Sequence, residues 1–418
     1  MIKLSGRSVE HFVSQKFSSK VFVISPDPDD DSKSVFSNQS SHTQPKLHLL
    51  FGETSTSIPE HNFIRLPSAF EYLSHGNVVE FSDDYERVRV LYRGSGTMNS
   101  LLLTEQCDNY CIMCSQPPKE KADAWLLESA SACIDLIQDE FPEVCFTGGE
   151  PTIYGSQFNE LVQQFFSRHA KGSLHILSNG RKFSDKSFAE EYVNAVSGDA
   201  MIGIPLYGAE STLHDFVVQS PGAFEETLAG ILNLAELGAQ VEIRVVVHKQ
   251  TAAHLYEIAR FLSRNLPFVS HVAVMGLEMM GLARANFSEV WIDPIDYQIE
   301  LQEAVSHLLN LGLNVSIYNH QLCLLPDELR QFSRQSISDW KNEYDPICHN
   351  CDLQNECGGF FASAQYASSR GIHPLRSDGL PKESPALDET IIDDSTSIHE
   401  KNSVTWRRRK IPLNHLLN

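Results

Sequence analysis

Cys107-Asp108-Asn109-Tyr110-Cys111-Ile112-Met113-Cys114 is the stretch on which the reading of the whole chain turns. It sets three thiols within eight residues at the spacing C-x3-C-x2-C, just after the apolar run Ser100-Leu101-Leu102-Leu103-Thr104. Thiolates are the usual ligands of iron–sulfur clusters, and a [4Fe–4S] cube that only carries electrons takes four protein ligands. Three on one loop leave one iron open to a substrate or cofactor. For this spacing taken alone, a zinc or structural site is the alternative.

Composition bounds what surrounds that loop. A chain of 418 residues suggests roughly two to three domains of about 100–200 residues. With 42% hydrophobic and 21% charged residues it has ample material for a core. Its net charge of −21 argues against nucleic acid as the main partner, because phosphate binding needs a basic footprint. No apolar run approaches a membrane span, and Met1-Ile2-Lys3-Leu4-Ser5-Gly6-Arg7 lacks the apolar stretch of a signal peptide. The expected location is therefore cytoplasmic. There the nine cysteines stay reduced, which favours metal or redox chemistry over disulfides.

Outward from the loop, the chain divides into four segments. Residues 1–96 predict a small β-rich domain with strands over 20–24, 47–51, 78–81 and 87–92; the polar stretch 25–45 is expected to be a mobile loop. Residues 97–312 alternate strand and helix. Strands are expected at 100–104, 143–146, 173–177, 200–206, 241–247 and 271–277. Helices are expected at 122–140, 156–169, 185–195, 223–237, 252–265 and 294–311. Six successive β/α units predict a parallel sheet, since parallel neighbours need a crossover helix. Periodicity leaves open whether it is doubly wound or curled into a barrel; in both, reactive groups lie beyond the carboxyl ends of the strands.

The next strands supply candidates on that same edge. The second runs into Thr147-Gly148-Gly149-Glu150-Pro151-Thr152, where two glycines fit either a tight turn or close approach to a ligand. The third ends in Ser178-Asn179-Gly180-Arg181. The fifth carries Arg244 among aliphatic residues, either as a surface charge or as an inward fork for a carboxylate. Tyr207 and Glu210, after the fourth strand, are candidates for lining a substrate cavity. His214, His271 and His320 carry no motif.

Four further cysteines fall late. Cys323 stands alone after a strand expected over 314–319, and Cys348, Cys351 and Cys357 follow at C-x2-C-x5-C. Zinc and a second cluster both fit such a set. Cys133 and Cys145 lie in apolar helix and strand patterns and are read as core.

The three-cysteine loop after the first strand, Gly-Gly-Glu-Pro after the second, and the six β/α units together resemble the radical S-adenosylmethionine (SAM) enzymes. The resemblance covers about residues 100–312 and implies an α/β fold, a partial (β/α)6 barrel. It also implies that Cys107, Cys111 and Cys114 hold a [4Fe–4S] cluster whose free iron is chelated by SAM. Gly148, Gly149, Glu150 and Pro151 would form the loop that meets the cofactor's amino group. Ser178, Asn179 and Arg244 would face its ribose or carboxylate, and Met113 would pack against its adenine, where the family often has an aromatic residue. An external low-potential donor reduces the cluster, and the resulting 5′-deoxyadenosyl radical takes a hydrogen atom from the substrate.

The late cysteines resemble the shortened, twitch-like auxiliary-cluster extension of peptide-modifying radical enzymes. This implies a second [4Fe–4S] cluster on Cys323, Cys348, Cys351 and Cys357 within residues 313–375. The fuller extension has more cysteines and two clusters. Finer likeness lies in Cys111-Ile112-Met113-Cys114-Ser115-Gln116-Pro117-Pro118, Tyr318-Asn319-His320-Gln321-Leu322-Cys323, Ser336-Ile337-Ser338-Asp339-Trp340 and Cys357-Gly358-Gly359-Phe360-Phe361. These runs resemble the C-type maturase of the His-Xaa-Ser system, implying a ribosomally made peptide with His-Xaa-Ser repeats as substrate and a second radical maturase as partner. A small-molecule substrate, or a non-catalytic iron–sulfur or zinc protein, are the other classes. Residues 376–418, acidic and then basic at Arg407-Arg408-Arg409-Lys410, are expected to be a disordered tail or a docking segment.

Overall fold

The computed structural model describes residues 5–13, 17, 19–27, 30–37, 47–52, 62–96, 98–335 and 343–382. The stretch around Trp340 and the tail from 383 lie outside these.

The N-terminal part is an eight-stranded sheet in the order β1-β8-β7-β3-β4-β5-β6-β2. Its strands are β1 (Ser5–Arg7), β2 (Glu10–Phe12), β3 (Val21–Asp27), β4 (Asp30–Ser37), β5 (Leu47–Phe51), β6 (Phe63–Leu66), β7 (Val78–Phe81) and β8 (Arg87–Tyr92). β1 and β2, at opposite ends of that order, are separated in sequence only by Ser8 and Val9. Ser8 N donates to Glu86 O and Val9 N to Arg65 O, each at 2.8 Å. One short segment thus laces both edges together, which removes the unpaired edges that invite aggregation. Phe22, Ile24, Leu49, Ile64, Phe70 and Phe81 form the core of this part.

β4 corrects the expected mobile loop over 25–45. The polar stretch carries Val35-Phe36, and pairing of β4 with β3 on one side and β5 on the other is sufficient to make it a strand. Sequence alone could not supply those partners.

The second sheet is parallel, in the order β15-β14-β13-β12-β11-β10-β9. Its strands are β9 (Asn99–Thr104), β10 (Glu143–Gly148), β11 (Ser173–Leu177), β12 (Asp199–Pro205), β13 (Gln240–Val247), β14 (His271–Gly276) and β15 (Val315–Tyr318). The helices are α1 (Trp125–Leu136), α2 (Ser156–Arg168), α3 (Lys186–Ala195), α4 (Ser211–Val218), α5 (Ala223–Glu236), α6 (Leu255–Asn265), α7 (Gly281–Ala285), α8 (Phe287–Val290) and α9 (Gln298–Asn310). Every strand neighbours its predecessor, so right-handed crossovers keep the helices on one face, and a doubly wound sheet is excluded. The result is a partial barrel whose end strands, β9 and β15, are not paired with each other. β15, expected to open the extension, instead joins the sheet as its seventh strand, because Val315 and Ile317 share the apolar core of the other six.

Alternation along the strands defines the two faces. Outward Val144, Phe146, Leu174, Ile176, Ile202 and Ile243 are buried under the helices. Inward Thr147, His175, Met201, Arg244, Met275 and Tyr318 are half-buried, so the barrel has an accessible polar lumen. The N-terminal sheet packs on α1: Ser129 Oγ donates to Glu80 at 2.5 Å, and the Arg89 guanidinium lies 4.6 Å from the Trp125 ring centre. Among the described residues no helix is long and apolar enough to cross a membrane.

Candidate active site

β9 ends at Thr104 and releases the cysteine loop at the carboxyl edge of the barrel. Its exit is fixed by Asp123, a buried residue two positions before α1. The Asp123 carboxylate accepts from Thr104 Oγ1 at 3.0 and 3.1 Å, Glu105 N at 2.5 Å, Gln106 Nε2 at 2.8 Å and Tyr154 Oη at 2.7 Å. Burial on its own would raise this carboxyl; the donors outweigh it and hold the group below its ordinary range.

The Gly148-Gly149-Glu150-Pro151 loop is bonded to the same exit. Gly149 N donates to Thr104 O and Glu150 N to Gln106 O, both at 2.8 Å. The backbones come so close that a Cβ on Gly148 would lie 2.6 Å from Thr104 O, and one on Gly149 2.0 Å from Gln106 O. Both glycines are therefore demanded by loop-to-loop contact. Pro151 opens a short 3-10 turn (Pro151–Tyr154) that Glu150 caps.

Glu150 is fully enclosed and ties this loop to the end of β11. It accepts from Thr152 N (3.0 Å), Thr152 Oγ1 (2.7 Å), Ser178 Oγ (2.9 Å) and Asn179 N (2.5 Å). Burial pushes its carboxyl up, and these four donors oppose that shift. Asn179 Nδ2 in turn donates to Asp108 Oδ1 at 2.6 Å, inside the cysteine loop. Three of the expected cofactor residues, Glu150, Ser178 and Asn179, thus meet at one junction, with Glu150 bonded to the other two.

The cysteine loop is held on two further sides. Tyr110 N and Ile112 N donate to Val218 O and Val217 O at the end of α4, each at 2.9 Å. Leu282 N of α7 donates to Cys114 O, and Asn286 Nδ2 to Ile112 O, each at 2.8 Å. Met113 is buried in a small cluster with Tyr207, Val217, Val218, Met279 and Val290. α4, α7 and α8, which carry much of this support, were not foreseen: short helices lack the repeated periodicity that announces long ones.

The three thiols are free and half-buried. Desolvation pushes Cys107 to about 12 and raises Cys111 and Cys114 as well; Cys111 also feels both of the others. Asn109 N donates to Cys107 Sγ at 3.4 Å. A centre that takes up thiolate charge suits this donor set, since bare thiolates are disfavoured here.

Arg244 stands apart from the junction. It faces the lumen, with Nη1 2.8 Å from Glu242 Oε1 and Nη2 3.2 Å from Met275 Sδ. His271 Nδ1 lies 2.7 Å from the other oxygen of Glu242, and burial, the largest influence on that carboxylate, is overcome by its histidine and arginine partners. Tyr207 is buried beside the cysteine loop, with ring centres 5.8 Å from His214 and 6.1 Å from His248. Glu210 is exposed at the start of α4.

In the extension, Cys323, Cys348, Cys351 and Cys357 are free and half-buried. Leu322 N and Gly359 N each donate to Cys357 Sγ at 3.5 Å, and Leu375 N to Cys351 Sγ at 3.3 Å. Burial pushes Cys323 to about 11, with Cys357 and Cys348 close enough to add to the shift. His320 takes no part: its Nδ1 donates to Tyr318 O, leaving Nε2 to accept from Tyr297 Oη, both at 2.9 Å. Among the described residues no three His, Cys, Asp or Glu side chains converge closely enough to share one metal ion. Cys133 is core as expected; Cys145 is buried too, but on the lumen side of β10.

Comparison with known proteins bears on the same stretch. The Radical SAM superfamily description matches residues 101–262. The AdoMet-dependent heme synthase of Nitratidesulfovibrio vulgaris is 24% identical over 214 residues, 48% of this chain and 57% of that protein. Streptococcus suis SuiB bound to S-adenosylmethionine is 16% identical with a TM-score of 0.42, covering 55% of this chain and 51% of that one. Native anSMEcpe with bound AdoMet and Cp18Cys peptide is 18% identical with a TM-score of 0.41, covering 53% and 63%. The chain thus spans only a little over half the length of the curated relative and of SuiB. Residues 101–262, from β9 into α6 and including the cysteine loop and its glycine partner loop, form a Radical SAM superfamily domain.

Proposed function

We propose that the protein is a radical SAM maturase acting on a ribosomally made peptide with His-Xaa-Ser repeats. A [4Fe–4S] cluster held by Cys107, Cys111 and Cys114, with SAM on its open iron, would supply the 5′-deoxyadenosyl radical that takes hydrogen from the peptide. The observation that carries the reading is the junction of three loops. The thiols sit on a loop braced by the Gly148–Pro151 turn and by Ser178-Asn179, at the carboxyl edge of an open barrel.

The residues divide the work. Gly149 and Glu150 have committed their amides to Thr104 O and Gln106 O, and Glu150 its carboxylate to Thr152, Ser178 and Asn179. Gly148 and Gly149 would therefore meet the cofactor's ammonium through carbonyl oxygens. Arg244 would reach a carboxylate only with the N–H groups that Glu242 and Met275 leave. Fixed loops hold the reactants in place at the mouth of the lumen.

A second [4Fe–4S] cluster on Cys323, Cys348, Cys351 and Cys357 is part of the proposal. Backbone N–H groups aimed at two of these sulfurs support it, since such bonds stabilise thiolate ligands. A cube spreads its ligands over several irons, so its cysteines need not converge on one point. An external low-potential donor, a partner maturase and a cytoplasmic setting complete the reading. Anaerobic reconstitution should give about eight irons per chain and 5′-deoxyadenosine on reduction. Co-expression with the repeat peptide should change its mass; cofactor cleavage with an unaltered peptide would turn the reading toward a small-molecule substrate.

A further inference from the structure

We infer that Arg181 tunes the cluster held by the cysteine loop, acting through the single peptide group that joins Asp108 to Asn109. The inference rests on the function proposed above and adds a residue that the motif does not contain.

Arg181 follows Gly180, whose φ of +82° turns the chain back from the end of β11 toward the cysteine loop. Its side chain is only 15% exposed. Nη1 donates to Asp108 O at 2.9 Å, Asn109 Oδ1 at 2.8 Å and Ser220 Oγ at 3.0 Å, while Nε donates to Glu226 Oε2 at 2.6 Å. The Asp108 carboxylate stands 3.4 Å from the same Nη1 and is also gripped by Asn179.

The carbonyl of Asp108 and the N–H of Asn109 are the two ends of one amide. Arg181 donates to the oxygen end, and the N–H end donates to Cys107 Sγ. A cationic donor on the oxygen draws electron density out of the amide and strengthens the bond that its N–H makes, an effect of about 10–30% per bond. Hydrogen bonds to ligand sulfurs withdraw charge from an iron–sulfur cluster and so set its reduction potential. Asp108 and Glu226 offset the bare charge of the guanidinium, which leaves the peptide relay as the main route. Arg181 is thus a positioning residue that makes the reduced cluster easier to reach.

The test compares wild type, Arg181→Met, Arg181→Lys and Ser220→Ala as full-length chains reconstituted with iron and sulfide. Iron content, thermal unfolding and the midpoint potential of the SAM-responsive EPR signal are measured. At the wild-type midpoint, Arg181→Met should lower the ratio of reduced to oxidised cluster about twofold, which is about 18 mV for one electron. Arg181→Lys, able to keep one donor on Asp108 O, should move it less in the same direction. Ser220→Ala, which lies off the relay, should leave it alone. A plain loop staple would lower iron content or melting temperature without moving the potential of the loaded fraction. An unchanged midpoint in Arg181→Met overturns the inference, and if that variant takes up no iron, Arg181→Lys decides on the same criterion. Failure of the wild type to take up any cluster would overturn the proposed function itself.

Discussion

A Cβ on Gly149 would lie 2.0 Å from the carbonyl oxygen of Gln106, the residue just before Cys107. The glycine loop and the cysteine loop are therefore one assembly, and a single methyl group at this position separates them. Gly149→Ala should cost about 1–3 kcal/mol by overpacking and sharply reduce iron uptake after reconstitution. Full iron content in that variant would show that the loops tolerate separation.

Asp123 holds the other side of the same exit. Asp123→Ala leaves Thr104 Oγ1, Glu105 N, Gln106 Nε2 and Tyr154 Oη without their acceptor. Each unpaired buried donor costs about 1–3 kcal/mol. Urea unfolding should register a loss of at least about 3 kcal/mol, large for a residue with no place in the cysteine motif. A change under about 1 kcal/mol would mean that water replaces the carboxylate.

The two cysteine sets should behave differently. Cys111→Ala is expected to abolish 5′-deoxyadenosine formation. Cys351→Ala is expected to retain some cofactor cleavage but lose the modified peptide, with about half the iron of the wild type. Turnover surviving in both variants would sink the assignment of clusters to cysteines.

Acid should unfold the apo-protein through histidines. Burial pushes His214, His248 and His320 down to about 4, below the 6.5 of an unfolded histidine. With the folded value depressed, the unfolded state binds more protons; the stabilisation is complete above about pH 6.5 and drains away as pH falls toward 4. At pH 5 each histidine should cost on the order of 2 kcal/mol relative to pH 7. Denaturant titrations at the two pH values measure the sum, and His214→Gln should make the slope shallower. A pH-independent midpoint between 7 and 5 contradicts neutral burial of these rings.

What the sequence by itself determined was whatever depends on short-range pattern. Spacing of thiols, Gly-Gly-Glu-Pro and the alternation of strand and helix identified the superfamily domain and six strands within a residue or two of their bounds, because periodicity and motif spacing are local. Only the tertiary structure decided which of those residues act on each other. It showed that Glu150 serves Ser178 and Asn179, that Arg244 answers Glu242 in the lumen, and that Asp123 and Arg181 brace a loop far away in sequence. It also turned 30–37 into a strand and gave the 314–319 segment to the barrel. The reason is common to all of these: a hydrogen bond across loops, or a strand between two partners, is fixed by neighbours that folding brings together, and no local pattern encodes who those neighbours are.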